Sequence, residues 1–170
     1  ASPGYFGVAR YDGAAASGFE STVPVDDGAW HHIAFVKQGA LLSLYVDGLL
    51  DGTASDTLHT STPGSTQNAA AVTLGRRGGN TYPSYLSGAL DEVRIWDYGR
   101  TQEEIQNEMG KALGGAEVGL VGYWNFDDGA ATDLTLSGAD GVFVGSPTTM
   151  PSVQAFGTNT PPAATAVSGT

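Results

Sequence analysis

The runs Trp30-His31-His32-Ile33-Ala34-Phe35-Val36-Lys37 and Leu41-Leu42-Ser43-Leu44-Tyr45-Val46 stand three residues apart, and the glycine in the intervening Gln38-Gly39-Ala40 leaves little but a β-hairpin. On the second run Leu42, Leu44 and Val46 share one face while Ser43 and Tyr45 share the other, the period of a half-buried antiparallel strand. Asp47-Gly48 then supplies a second tight turn, because glycine takes the positive φ such turns require, and Leu49-Leu50 begins the return.

Shorter signals of the same kind flank this hairpin. Tyr5 to Tyr11 and Phe19 to Val25 read as short strands, residues 53–68 as a Ser/Thr/Pro/Gly loop, and Ala71 to Gly75 as another strand. From Leu86 to Trp96 the chain alternates, with Ala89, Asp91, Val93 and Ile95 on one side and Leu90, Glu92, Arg94 and Trp96 on the other. Leu120 to Phe126 and Gly141 to Gly145 complete the set. One stretch is helical: Thr101-Gln102-Glu103-Glu104 is a capping box, Ile105, Met109 and Ala112 follow at helical spacing, and Gly114-Gly115 is expected to end the helix. About eight short strands and one helix near 101–112 predict an all-β antiparallel sandwich over residues 1–156, with 157–170 a linker-like tail.

Composition narrows the partners. Seven Lys+Arg against 18 Asp+Glu leave a net charge of −11, which disfavours nucleic acid, and no run reaches the roughly 20 apolar residues of a membrane span. Glycine, 25 of 170 residues, is about twice its usual share and fits a fold made of strands and turns. Cysteine is absent, so disulfides and thiolate chemistry are too. The start at Ala1, without initiator Met or an apolar leader, reads as a mature or excised segment.

Trp30-His31-His32-Ile33-Ala34, Leu44-Tyr45-Val46-Asp47-Gly48, Leu90-Asp91-Glu92-Val93-Arg94-Ile95-Trp96 and the helix from Thr101 to Met109, in this order and spacing, resemble the laminin-G-like and pentraxin-like domains of the concanavalin A-like lectin/glucanase fold. The resemblance covers about residues 19–113 and implies a jelly-roll sandwich. One segment departs from the pattern. Gly119-Leu120-Val121-Gly122-Tyr123-Trp124-Asn125-Phe126-Asp127-Asp128-Gly129 is similar to the way such domains begin, yet here it follows the helix. A last strand set resembling the first, a permuted order, and completion by residues outside this chain all remain open.

A glycosidase on this fold needs two carboxylates ~5–10 Å apart on one face. On a continuous strand Asp91 and Glu92 point to opposite faces, and no nucleophile elbow, metalloprotease helix or phosphate loop is present, so catalysis is not expected. His31 and His32 would likewise face opposite ways, one packed and one exposed, and could not share an ion; His59 falls in a polar loop. Calcium is the expected cofactor. It takes about six to eight hard oxygens, and Asp127, Asp128, Asp133 and Asp140 lie within 14 residues, although turn aspartates need only Asx hydrogen bonds to explain them. The resemblance adds Asp91 as a ligand. For a sugar, Tyr82, Tyr85, Trp96, Tyr98, Arg76 and Arg77 offer aromatic platforms and polar partners in or beside the loops. The function expected is a non-catalytic carbohydrate-binding module of a larger secreted or cell-surface protein, its partner a cell-surface glycan. The alternative is a structural or adhesive module that assembles with neighbouring chains or domains without binding sugar.

Overall fold

The computed structural model describes residues 4–11, 16–56, 71–76 and 85–149. These contain seven strands and one helix: β1 (Tyr5–Tyr11), β2 (Ala16–Pro24), β3 (Ile33–Gln38), β4 (Leu41–Val46), β5 (Leu49–Ser55), β6 (Val93–Trp96), α1 (Gln102–Glu108) and β7 (Leu120–Trp124). They fall into two compact units, the first from the described residues of 4–56 with 96–112, the second from 71–76, 85–95 and 113–149. The tail 157–170, Arg77, Tyr82, His59 and most of the 53–68 loop lie outside the described residues.

In the first unit β3, β4 and β5 form an antiparallel sheet with β4 in the centre. Gln38 pairs with Leu41, so the β3–β4 connection is a two-residue turn with Gly39 at φ 58 in its first position, one residue tighter than the expected three. The next turn places Asp47 at φ 50 and Gly48 at φ 75, the double positive φ of an Asp-Gly hairpin turn. Leu42, Leu44 and Val46 are buried as the alternation predicts, but Ser43 is buried as well: a central strand has both faces covered, and the one-sided pattern understates this. β1 and β2 pair as a second antiparallel ribbon. β2 is tied to β5 where the Ser17 hydroxyl donates to the Ser55 carbonyl (3.0 Å) and the Thr22 amide and hydroxyl donate to Asp51 (2.7 and 2.6 Å).

The helix starts where its capping box says. The Glu104 amide donates to the Thr101 hydroxyl and the Thr101 amide to the Glu104 carboxylate, 3.2 and 2.7 Å. It ends earlier than expected, at the Met109 cap before Gly110, and Ile105 is its buried residue. Gly115 has a different task. At φ 85, a Cβ there would lie 2.0 Å from the Leu134 carbonyl oxygen, so only glycine admits this backbone approach.

In the second unit β6 pairs with β7, and Leu120, Tyr123 and Trp124 form its apolar centre. Two expected strands do not form: 71–75 carries no strand, the isolated bridge of Arg76 with Tyr85 lying just after it, and 141–145 carries no strand and is exposed. Of the expected 86–96 strand only β6 forms, and its four residues are all half-buried rather than alternating. Glu92 sits at φ 54, outside the strand region, so β6 begins only at Val93 and the acidic pair Asp91-Glu92 lies before it.

Candidate functional site

The sugar-platform residues fall into separate groups. Within the second unit Arg76 lies over the Tyr85 ring, 5.8 Å from its centroid, and Tyr85 is 70% exposed. Within the first, Trp96 and Tyr98 meet edge to face at 6.0 Å, and Arg100 stacks on Trp96 at 3.8 Å. Trp96 thus has a ring face already occupied and acts as a support. Tyr98 is 43% exposed, and its hydroxyl is held by Glu104 at 3.1 Å. Partial burial first, then the bond to Glu104, raise that hydroxyl above the ordinary tyrosine pKa. Arg100, buried, is fixed from the other side by Glu108 at 2.7 Å and donates to the Glu104 carbonyl at 3.1 Å. Arg100 carries no sequence signal as a site residue; only its place two positions after Tyr98 and one before the helix cap hints at it.

The aspartates accept from nearby amides and hydroxyls. Asp133, 5% exposed, accepts from the Tyr123 and Thr135 amides at Oδ1 (both 3.0 Å) and, at Oδ2, from the Thr135 hydroxyl (3.0 Å), the Ala139 amide (2.9 Å) and the Ser137 hydroxyl. Burial alone would raise its pKa, but the bond from Ser137 and the three backbone amides outweigh that and hold it well below the usual carboxylate range. Asp140 accepts from the Asp133 amide (2.8 Å), Asp128 from the Ala130 amide and Thr132 hydroxyl (2.8 and 2.7 Å), Asp127 from the Asn125 amide group (2.8 Å), and Asp91 from the Glu92 amide (2.9 Å). Among the described residues no three His, Asp or Glu side chains are grouped to hold a metal ion. Asp133 takes five donors against about four lone-pair positions, so protein donors already fill its own oxygens.

Glu92 is equally committed. It pairs with Arg94 and accepts the Tyr123 hydroxyl at both oxygens (3.0 and 2.9 Å), while Arg94 lies 5.5 Å from the Tyr123 ring centroid. A carboxylate so engaged is poorly placed to shuttle a substrate proton. The histidines also depart from expectation. Neither lies on a strand, both are half-buried, and the His31 ring bridges Asp27 and Asp47.

The family model described as the concanavalin A-like lectin/glucanases superfamily matches residues 3–106, more than half of the chain, and the chain belongs to that superfamily. Its fold is therefore the antiparallel β-sandwich expected from the hairpins. Among solved structures it is similar to a candidate carbohydrate-binding protein from Bacteroides ovatus, with a TM-score of 0.59 and 21% identity over 79% of this chain. An S-layer domain-containing protein from Clostridium thermocellum follows at TM-score 0.39, with 22% identity over 59% of this chain. The chain spans 38% and 49% of those two chains. No curated protein matches significantly. Among the described residues no helix is long and apolar enough to cross a membrane.

Proposed function

We propose that the chain is a non-catalytic, carbohydrate-binding module of a larger secreted or cell-surface protein, with Tyr98 as its principal sugar platform. The observation that carries this reading is the ordered Tyr98 ring: exposed, braced by Trp96, tethered to Glu104 and flanked by the Arg100 guanidinium. A sugar ring stacks its C–H face on such a surface, and a platform already held in place loses little entropy on binding. Tyr85 with Arg76 is a second, smaller platform of the same chemistry. The superfamily and the Bacteroides ovatus neighbour support the reading at the level of fold. The absence of catalysis is part of the proposal and is supported by the engagement of Glu92 with Arg94 and Tyr123.

A glycan array is the test. Tyr98→Ala is expected to weaken binding to any glycan retained by the intact chain at least about tenfold, or 1.4 kcal/mol, with Tm nearly unchanged. Retention of full affinity by Tyr98→Ala and Tyr85→Ala would refute both platforms, and release of reducing ends from a glucan would refute the non-catalytic role. A second reading is favoured by the apolar side chains that the second unit leaves to solvent, Val118 at 92%, Leu136 at 97% and Val142 at 86% exposure. A structural module would bind no glycan and would assemble as concentration rises.

A further inference from the structure

We propose that Asp27, His31 and Asp47 form a protonation-controlled latch that holds the bend at residues 26–29 onto the β4–β5 turn in mild acid and releases it at alkaline pH. The imidazole is 14% exposed and lies between two carboxylates: Nδ1 faces Asp47 Oδ2 at 2.9 Å and Nε2 faces Asp27 Oδ1 at 3.1 Å. Ionised carboxylates only accept, so both contacts are hydrogen bonds only when both ring nitrogens carry protons. The neutral ring turns one lone pair toward an oxygen and must give up one partner.

The partner given up is Asp27. Asp47 is fixed independently: its Oδ1 accepts the His32 amide at 2.9 Å, its own amide donates to the His32 carbonyl at 2.8 Å, and its positive φ is locked by the hairpin turn. Asp27 is held only from within its own bend, by the Ala29 amide at 2.8 Å. Releasing it therefore frees the bend and leaves the hairpin intact.

The charges of neighbouring elements are directed elsewhere. Asp26 lies against Gly4, Glu104 caps Thr101 and holds Tyr98, Glu108 pairs with Arg100, and Glu103 stands in the first turn of α1, which touches the β4–β5 turn through Gln106 and Met109. Burial opposes the charged imidazole, yet the bonds to Asp47 and Asp27 outweigh it and raise the His31 pKa above 6.5, while Asp27 is lowered below 3.8, chiefly by the Ala29 amide and His31. A raised histidine stabilises fully below 6.5 and its contribution is lost as pH rises through the folded value. A lowered aspartate stabilises above 3.8 and its contribution is lost as pH falls through its own folded value. The latch is complete between those limits.

Imidazole NMR on the intact chain, with His31→Gln to assign the signal, tests this. His31 is expected to titrate above 6.5, and Asp27→Asn, an exposed change that leaves the hairpin alone, to lower its midpoint. The Ala29 amide is expected to lose about tenfold in protection factor between about pH 5.5 and about pH 8.5, with the His32 amide unaffected. A midpoint at or below 6.5, no response to Asp27→Asn, or pH-independent protection of Ala29 would overturn the latch.

Discussion

Asp133→Ala is expected to lower stability by about 4 kcal/mol or more, and Tm by about 8–16 °C. The carboxylate takes three backbone amides and two hydroxyls, from Tyr123, Thr135, Ala139 and Ser137, inside the second unit. Alanine strands these donors, and each buried donor left without an acceptor costs about 1–3 kcal/mol. The loss is expected to be the same in calcium and in chelator, because the carboxylate works through protein donors. A loss confined to calcium buffer would show that it acts through a metal. Because Asp133 is depressed in the folded chain, its contribution is present above 3.8 and disappears as pH falls through the folded value, so the intact chain should resist mild acid and the variant should gain no further sensitivity there.

Glu92→Ala is expected to cost about 3–5 kcal/mol, measured by urea denaturation and followed through the neighbouring tryptophan fluorescence. It removes the carboxylate beside Arg94, both side chains being nearly buried at 7% and 9% exposure, and takes away the acceptor of the Tyr123 hydroxyl. An alanine at φ 54 adds strain that glutamate offsets through its contacts. Glu92→Gln keeps the shape and an acceptor and is expected to cost clearly less. A second readout is independent of folding free energy. Burial is the first cause raising the Tyr123 hydroxyl above 10.0; the Leu113 amide opposes it and Glu92 adds to it, so Glu92→Gln should bring the tyrosine titration back toward 10. An unchanged titration would separate Glu92 from Tyr123.

What was legible in the sequence was local. The β3–β4–β5 meander depends on two turns whose glycines must adopt positive φ and on a period-2 run between them, and both signals lie within about twenty residues. The start of α1 was legible for the same reason: Thr101 and Glu104 bind each other's backbone across three residues. Its end was not, because a helix stops where tertiary packing ceases to reward it, and Gly110 was nearer than the glycine pair.

The aspartate-rich segment shows the other limit. Spacing identifies Asp127, Asp128, Asp133 and Asp140 as turn-forming or cation-binding residues, but both need the same residue types. Which way each carboxylate points depends on where the amides of Tyr123, Thr135 and Ala139 come to lie. The sugar candidates divide similarly: aromatic content was visible, whereas the stacking of Arg100 that leaves Tyr98 rather than Trp96 as the open ring is a long side chain's choice of partner.

By itself, then, the order of residues determined the strands around its tight turns, the capped helix and the superfamily. The positive φ at Glu92, the direction of the aspartates, the bridge made by His31 and the exposed face of Tyr98 were decided only in the tertiary structure. Turn geometry and periodicity are properties of neighbouring residues, written along the chain. A buried carboxylate or imidazole takes its role from hydrogen-bond partners such as Tyr123 for Asp133 and Glu92, or Asp47 for His31, and those pairings exist only once the chain has folded.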